Sequence, residues 1–229
     1  MSGLQTIIDN CNGIEIDRRK VVGTQYTRNE IPRTSVTPGK NPWKIKLDMP
    51  TNFKYSDARA LMEALDVLDR VSPEVVTFSN LNNLSWIFMY QGVMTIGQRN
   101  VLTVTTFVGD ELVLGGLPAI ASGSVLFEPN DLIQIGDHYY PFTSTTQILR
   151  GGGGTVTITT NRPNIITDSV VGDGLTVGND CNFTMFCPNM PTYKLIPGGV
   201  KYNSAHDRIN NAYIEWQDSF QLYEYVGEA

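Results

Sequence analysis

The sequence predicts a mainly β protein: a β-sandwich or split-barrel lobe carrying one α-helix at about residues 56–70, with a small β-barrel inserted into it. Two observations carry the class. Runs rich in β-branched and aromatic residues recur at roughly 8- to 12-residue intervals between Gly, Pro, Asn and Asp, which is the rhythm of sandwiches and barrels. The texture also changes near Gly92 and again near Pro191; between them the chain is rich in Gly and Thr and has no helical period. Residues 93–190 are therefore expected to form the inserted barrel, and 1–92 with 191–229 a discontinuous domain built from both ends of the chain. No internal repeat is convincing.

Taken in order, the expected strands begin with 14–18 and the alternating run 43–49, where Trp43, Ile45, Leu47 and Met49 fall on one face and the charges on the other. The helix follows. Ser56 is a good N-cap, Asp57 places negative charge in the first turn, and Leu61, Leu65 and Leu68 recur at helical spacing beside Ala64. Arg59 with Glu63 and Asp66 with Arg70 are opposite charges four residues apart, and Pro73 closes the segment. Further strands are expected at 75–78, 85–91, 101–107, 112–114, 124–127, 132–135, 138–142, 155–160, 181–187, 193–196, 212–216 and 220–226.

Composition narrows the class of function. An apolar share of 41% with 10% aromatic residues in a chain of 229 residues can bury a sizeable core, so the chain should fold rather than stay disordered. Charged residues make up 17%, below the roughly 25% usual for soluble domains, so Thr, Ser, Asn and Gln supply most of the polar surface. Such a surface loses less when a partner covers it. The opening MSGLQTIIDNCNG lacks a basic stretch followed by a long apolar run, and no window approaches the roughly 18 apolar residues of a membrane span. A soluble protein assembled in the cytoplasm is expected, with no membrane partner. Cys11, Cys181 and Cys187 are sparse and odd in number, and strand spacing would hold Cys181 and Cys187 about 20 Å apart. All three read as buried thiols.

Catalytic chemistry leaves little trace. His138 and His206 are the two histidines, and neither has the spaced His, Cys or carboxylate partners that zinc takes. Arg150 followed by Gly151–Gly154 lacks the Lys-Ser/Thr of a phosphate loop and reads as a hairpin loop. Asp168, Asp173 and Asp180 offer oxygens without the alternating carboxylates and terminal Glu of a calcium loop. The expectation is a non-enzymatic protein with no catalytic residues, no cofactor and no metal site, although the carboxylate pair of a glycosidase would carry no local signature.

Charge is distributed unevenly. Between Arg18 and Lys46 stand eight basic residues against one acid, Glu30, a net of seven positive charges in a chain whose total is −6. Everything else is strongly acidic. With an overall pI near 4.9, nucleic acid is not an expected partner. The basic residues lie on the wet face of a sheet beside acidic neighbours, or Arg18, Arg19, Lys20, Arg28 and Arg33 form an arm that docks on the acidic body of another copy; DNA binding by the arm alone is a third, less favoured reading.

The runs GIEIDRRKVVGTQYTRNEIPRT, NPWKIKLDMP and ALDVLDR resemble the opening of tail and baseplate structural proteins of tailed bacteriophages. NDLIQIGDHYYPF with TVTITTNRP, and PTYKLIPG with WQDSFQLYEYV, are similar to the remainder of such proteins. In layout the likeness is to distal tail proteins. It implies a virion protein of the tail, forming a ring of its own copies (a hexamer is one such ring) as a connector between tail tube and baseplate, with other tail and baseplate proteins as partners. The basic arm has no counterpart in that pattern. A second reading is an adsorption or carbohydrate-binding tail protein using Trp86, Tyr139 and Tyr140, and a third is a glycan hydrolase.

Overall fold

The computed structural model describes residues 3–17, 22–26, 32–36, 42–50, 53–55, 59, 62–63, 66, 72–79, 88–197 and 212–226. The fold is mainly β, in several antiparallel sheets. In chain order the strands are β1 (Gly13–Asp17), β2 (Val22–Tyr26), β3 (Pro32–Val36), β4 (Lys44–Asp48), β5 (Phe53–Lys54) and β6 (Glu74–Thr77). Next come β7 (Thr103–Val108), β8 (Glu111–Gly115), β9 (Val125–Phe127), β10 (Leu132–Ile135), β11 (His138–Thr143) and β12 (Ile148–Leu149). The last are β13 (Val156–Thr159), β14 (Leu175–Val177), β15 (Asn182–Phe186), β16 (Tyr193–Pro197), β17 (Ala212–Trp216) and β18 (Phe220–Glu224). The chain divides into two compact units, one made of Met1–Ile16, Lys44–Ile87 and Asn182–Tyr225, the other of Asp17–Trp43, Phe88–Cys181 and Val226–Ala229. Compared with the expected boundaries, 17–43 goes with the central unit, and β15 with the unit made from the chain's ends.

The first unit holds a five-stranded sheet in the order β1-β4-β18-β15-β6 and a three-stranded sheet in the order β16-β17-β5. β4 alternates as the sequence predicts: Ile45 and Leu47 are buried, while Lys44, Lys46 and Asp48 are exposed. Its register against β18 sets Leu47 opposite Phe220 and Ile45 opposite Leu222, so all four side chains share the buried face. β15 adds Phe183 and Met185, with Phe183 opposite Val76 of β6 and edge-on to Phe78 at 5.2 Å. Each large side chain taken from water contributes about 1.5–3 kcal/mol to holding this core together. The N-terminal helix packs beside the edge strand β6.

That helix, Gly3–Asn10, buries Leu4, Ile7 and Ile8. The Gln5 side-chain amide closes the free edge of β6: its Nε2 donates to the Thr77 carbonyl and the Thr77 N–H donates to its Oε1, both at 2.9 Å. One amide side chain thus does the work of a further strand. The expected helix near 56–70 is seen at its described positions, since Tyr55, Arg59, Met62, Glu63 and Asp66 are helical. Arg59 Nε donates to Glu63 Oε1 at 2.8 Å and Met62 is buried; Leu61, Leu65, Leu68 and the Asp66 to Arg70 pairing lie outside the described residues.

In the second unit the expected barrel is corrected. The described strands form separate sheets, β11-β10-β14, β13-β8-β7 and the pair β12-β9, none of them closed. The strands are two to six residues long, and the ladders slip at bulges between Val104 and Thr106 and between Ile133 and Ile135. Short, bulged ladders end before a sheet can curl round to meet itself. They still enclose one apolar core containing Leu112, Leu114, Leu126, Phe127, Ile133, Phe142 and Ile158. Trp43 joins this unit, its Nε1 donating to the Pro141 carbonyl at 3.1 Å and its ring meeting Phe88 edge-on.

Three other expectations change. Residues 88–91 hold no strand, the remainder of the expected 85–91 lying outside the described residues. The expected strand at 101 starts two residues later, because a single helical turn, Ile96–Arg99, precedes it, fixed by a capping box between Thr95 and Gln98. Gly151–Gly154 are not a hairpin loop; they link β12 and β13, which belong to different sheets, and Arg150 Nη1 donates to the Gly151 and Gly153 carbonyls.

Candidate assembly surface

The sequence-predicted interface is placed only in part. Arg18, Arg19, Lys20 and Arg28 lie outside the described residues, and Arg33 is described by its backbone, in β3 opposite Gln25 of β2. The basic stretch therefore contains a β-hairpin, with Val22 opposite Val36 and Tyr26 opposite Pro32. Its last two lysines take the sheet-face alternative. Lys46 is 3.1 Å from Glu15 of the neighbouring β1, and Lys44 lies 6.0 Å from the Tyr223 ring centroid, both on the wet face of β4.

Of the residues considered for chemistry, one pair is brought together: His138 Nε2 stands 3.8 Å from Asp173 Oδ2. Among the described residues no three His, Cys, Asp or Glu side chains form a group that could hold a metal ion. His206 and Trp86 lie outside the described residues, and Tyr139 and Tyr140 are half-buried. Cys11, Cys181 and Cys187 are buried thiols that form no disulfide. Burial raises the Cys11 thiol to about 11 and the Cys181 thiol to about 12, so both are protonated and unreactive at neutral pH. The buried Asp131 is structural: Oδ1 accepts the Gln91 N–H at 2.9 Å and Oδ2 the Glu128 N–H at 2.8 Å, while desolvation raises its pKa. Among the described residues no helix is long and apolar enough to cross a membrane.

What stands out instead is β16. In its sheet it pairs on one side, with β17, and its other edge has no partner among the described residues. Tyr193, Leu195 and Ile196 are 44%, 46% and 38% exposed, and Lys194 between them is exposed as well. Tyr-Lys-Leu-Ile puts large apolar groups on both faces, the pattern of a strand covered on both sides, yet here those groups stay more than a third exposed. A strand with open hydrogen-bonding groups and exposed apolar side chains is a template for pairing with another chain, and folded proteins ordinarily blunt such an edge. Lys194 and the missing N–H of Pro197 are the only blunting features within β16.

Beside β16 lies a pocket of about 360 Å³ lined by Met62, Asp66, Met190, Pro191, Thr192, Tyr193 and Trp216. Tyr193 and Trp216 sit opposite each other in the ladder and so project from the same face, with ring centroids 5.6 Å apart at 61°. Trp216 also packs on Phe220 at 5.0 Å, which fixes the indole against the buried core of the unit. Its Nε1 is buried and meets no acceptor among the described residues. The sequence analysis missed this site, because Met62 and Asp66 are brought to Pro191, Tyr193 and Trp216 only by tertiary packing.

No protein-family model matches the chain, and no curated protein matches it in sequence.

Proposed function

We propose that the protein is a structural subunit that acts by assembling with further protein chains, as a ring-forming connector of a bacteriophage tail between tail tube and baseplate, located in the virion. The observation that carries the assembly reading is β16, a strand whose second edge has no partner among the described residues and which exposes three large apolar side chains. The tail position is supported by the resemblance of the sequence runs given above and by the mainly β architecture in two units. Copies of one chain joined through such an edge to a different surface of the next copy generate a ring when the rotation closes.

Leu195→Lys tests the reading. Leu195 is 46% exposed, so the change should leave folding stability within about 1 kcal/mol, while placing a charge among the apolar contacts the edge makes. Light scattering after size exclusion is expected to show a smaller mass for the variant than for wild type at equal concentration, with unchanged circular dichroism. Equal masses would remove β16 from the interface.

A further inference from the structure

The pocket beside β16 is asymmetric in chemistry. Met62, Met190 and Pro191 give it apolar walls, Tyr193 and Trp216 give it aromatic ones, Thr192 adds a hydroxyl, and Asp66 is the one carboxylate in the lining. An exposed carboxylate near aromatic rings, with thioethers beyond, suits a long side chain that is apolar along its stem and positive at its tip. The volume of about 360 Å³ lies at the floor of the range of about 300–1,000 Å³ typical of small-molecule sites, enough for one side chain and the backbone beside it.

The chain itself contains the complementary partner. Residues 18–46 carry eight basic groups against one acid in a protein of net charge −6. We propose that this pocket receives a Lys or Arg side chain from the segment containing Arg18, Arg19, Lys20, Arg28 and Arg33 of a second copy of the chain. The inference rests on the assembly reading and names the contact through which it operates. Apolar packing at β16 supplies adhesion, and the charged side chain in the Asp66 pocket sets the register between copies.

The test uses the full-length chain and a synthetic peptide of residues 17–36, which has no tryptophan, so that indole fluorescence reports on the protein alone. Titration is expected to give a saturable fluorescence change that Trp216→Phe abolishes. Asp66→Asn should weaken the peptide about tenfold, and a peptide with all five basic residues replaced by Gln should not bind. An Asp66→Asn variant with wild-type affinity, or a Gln peptide that binds as well as the native one, overturns the proposal. Light scattering in parallel separates the two claims. Assembly that proceeds while the native peptide neither binds nor competes sinks the pocket alone, whereas a chain that stays monomeric at every concentration sinks the assembly reading and, with it, a second copy as the occupant.

Discussion

Phe142→Ala is expected to destabilise the protein by about 3–5 kcal/mol, the cost of emptying a large aromatic site from a packed core. Phe142 is fully buried in β11, opposite Ile133 of β10. Its ring meets Phe107 edge-on at 4.9 Å and its centroid lies 5.1 Å from the guanidinium of buried Arg162. Arg162 Nη2 also donates to the Pro141 carbonyl, the residue next to Phe142, so truncation opens a cavity beside a buried cation held from that same strand. Against a total of about 5–15 kcal/mol for a typical domain, such a loss is a large fraction of the stability of the unit. Urea unfolding followed by near-ultraviolet circular dichroism should show a lower midpoint. A loss below about 1 kcal/mol would mean that the three sheets do not share a tightly packed core.

Replacing Arg18, Arg19, Lys20, Arg28 and Arg33 together with Gln is expected to weaken association while leaving the fold intact. An exposed ion pair contributes about 0.2–1 kcal/mol, so no single replacement decides the outcome. Five together reach about 1–5 kcal/mol at each interface, and a ring repeats the interface with every copy. Raised salt should act on the wild type in the same direction, since exposed pairs are screened over about 8–10 Å at ordinary ionic strength. Size exclusion with light scattering at several salt concentrations measures both effects. A fivefold variant that assembles as wild type does, indifferent to salt, would leave the basic stretch no part in the interface.

How much of this was legible depended on whether the signal is local. β4 could be read outright, because Trp43-Lys-Ile-Lys-Leu-Asp-Met alternates and its burial follows the alternation. β10 and β17 were placed to the residue, and most other strands to within one or two. The N-terminal helix could not be read. Gly3–Asn10 has no acidic residue in its first turn and no basic residue in its last, and it is held by Leu4 to Glu74 and Gln5 to Thr77, contacts some seventy residues away in the chain. The hairpin of β2 and β3 was hidden by the charges around it, which drew the reading towards an arm. Barrel closure likewise depends on register between distant strands, and the bulges in β7 and β10 leave no mark in periodicity.

Of the candidate site the sequence disclosed half. The basic stretch is visible as a count of charges, but the surface offered to it is not. Tyr193, Leu195 and Ile196 read as an ordinary buried strand, and only the three-dimensional pairing shows that, among the described residues, β16 stands at a sheet edge with these side chains more than a third exposed. The one-turn helix at Ile96–Arg99 illustrates the opposite case: Thr95 and Gln98 are a capping box in plain sight, masked by Gly97 between them.

Electron microscopy of the purified full-length chain tests the central claim most directly. Assembly through the β16 edge and the basic stretch predicts closed rings of a uniform copy number, lost on Leu195→Lys. Compact monomers or trimers in the wild-type protein, unchanged by that substitution, would contradict it.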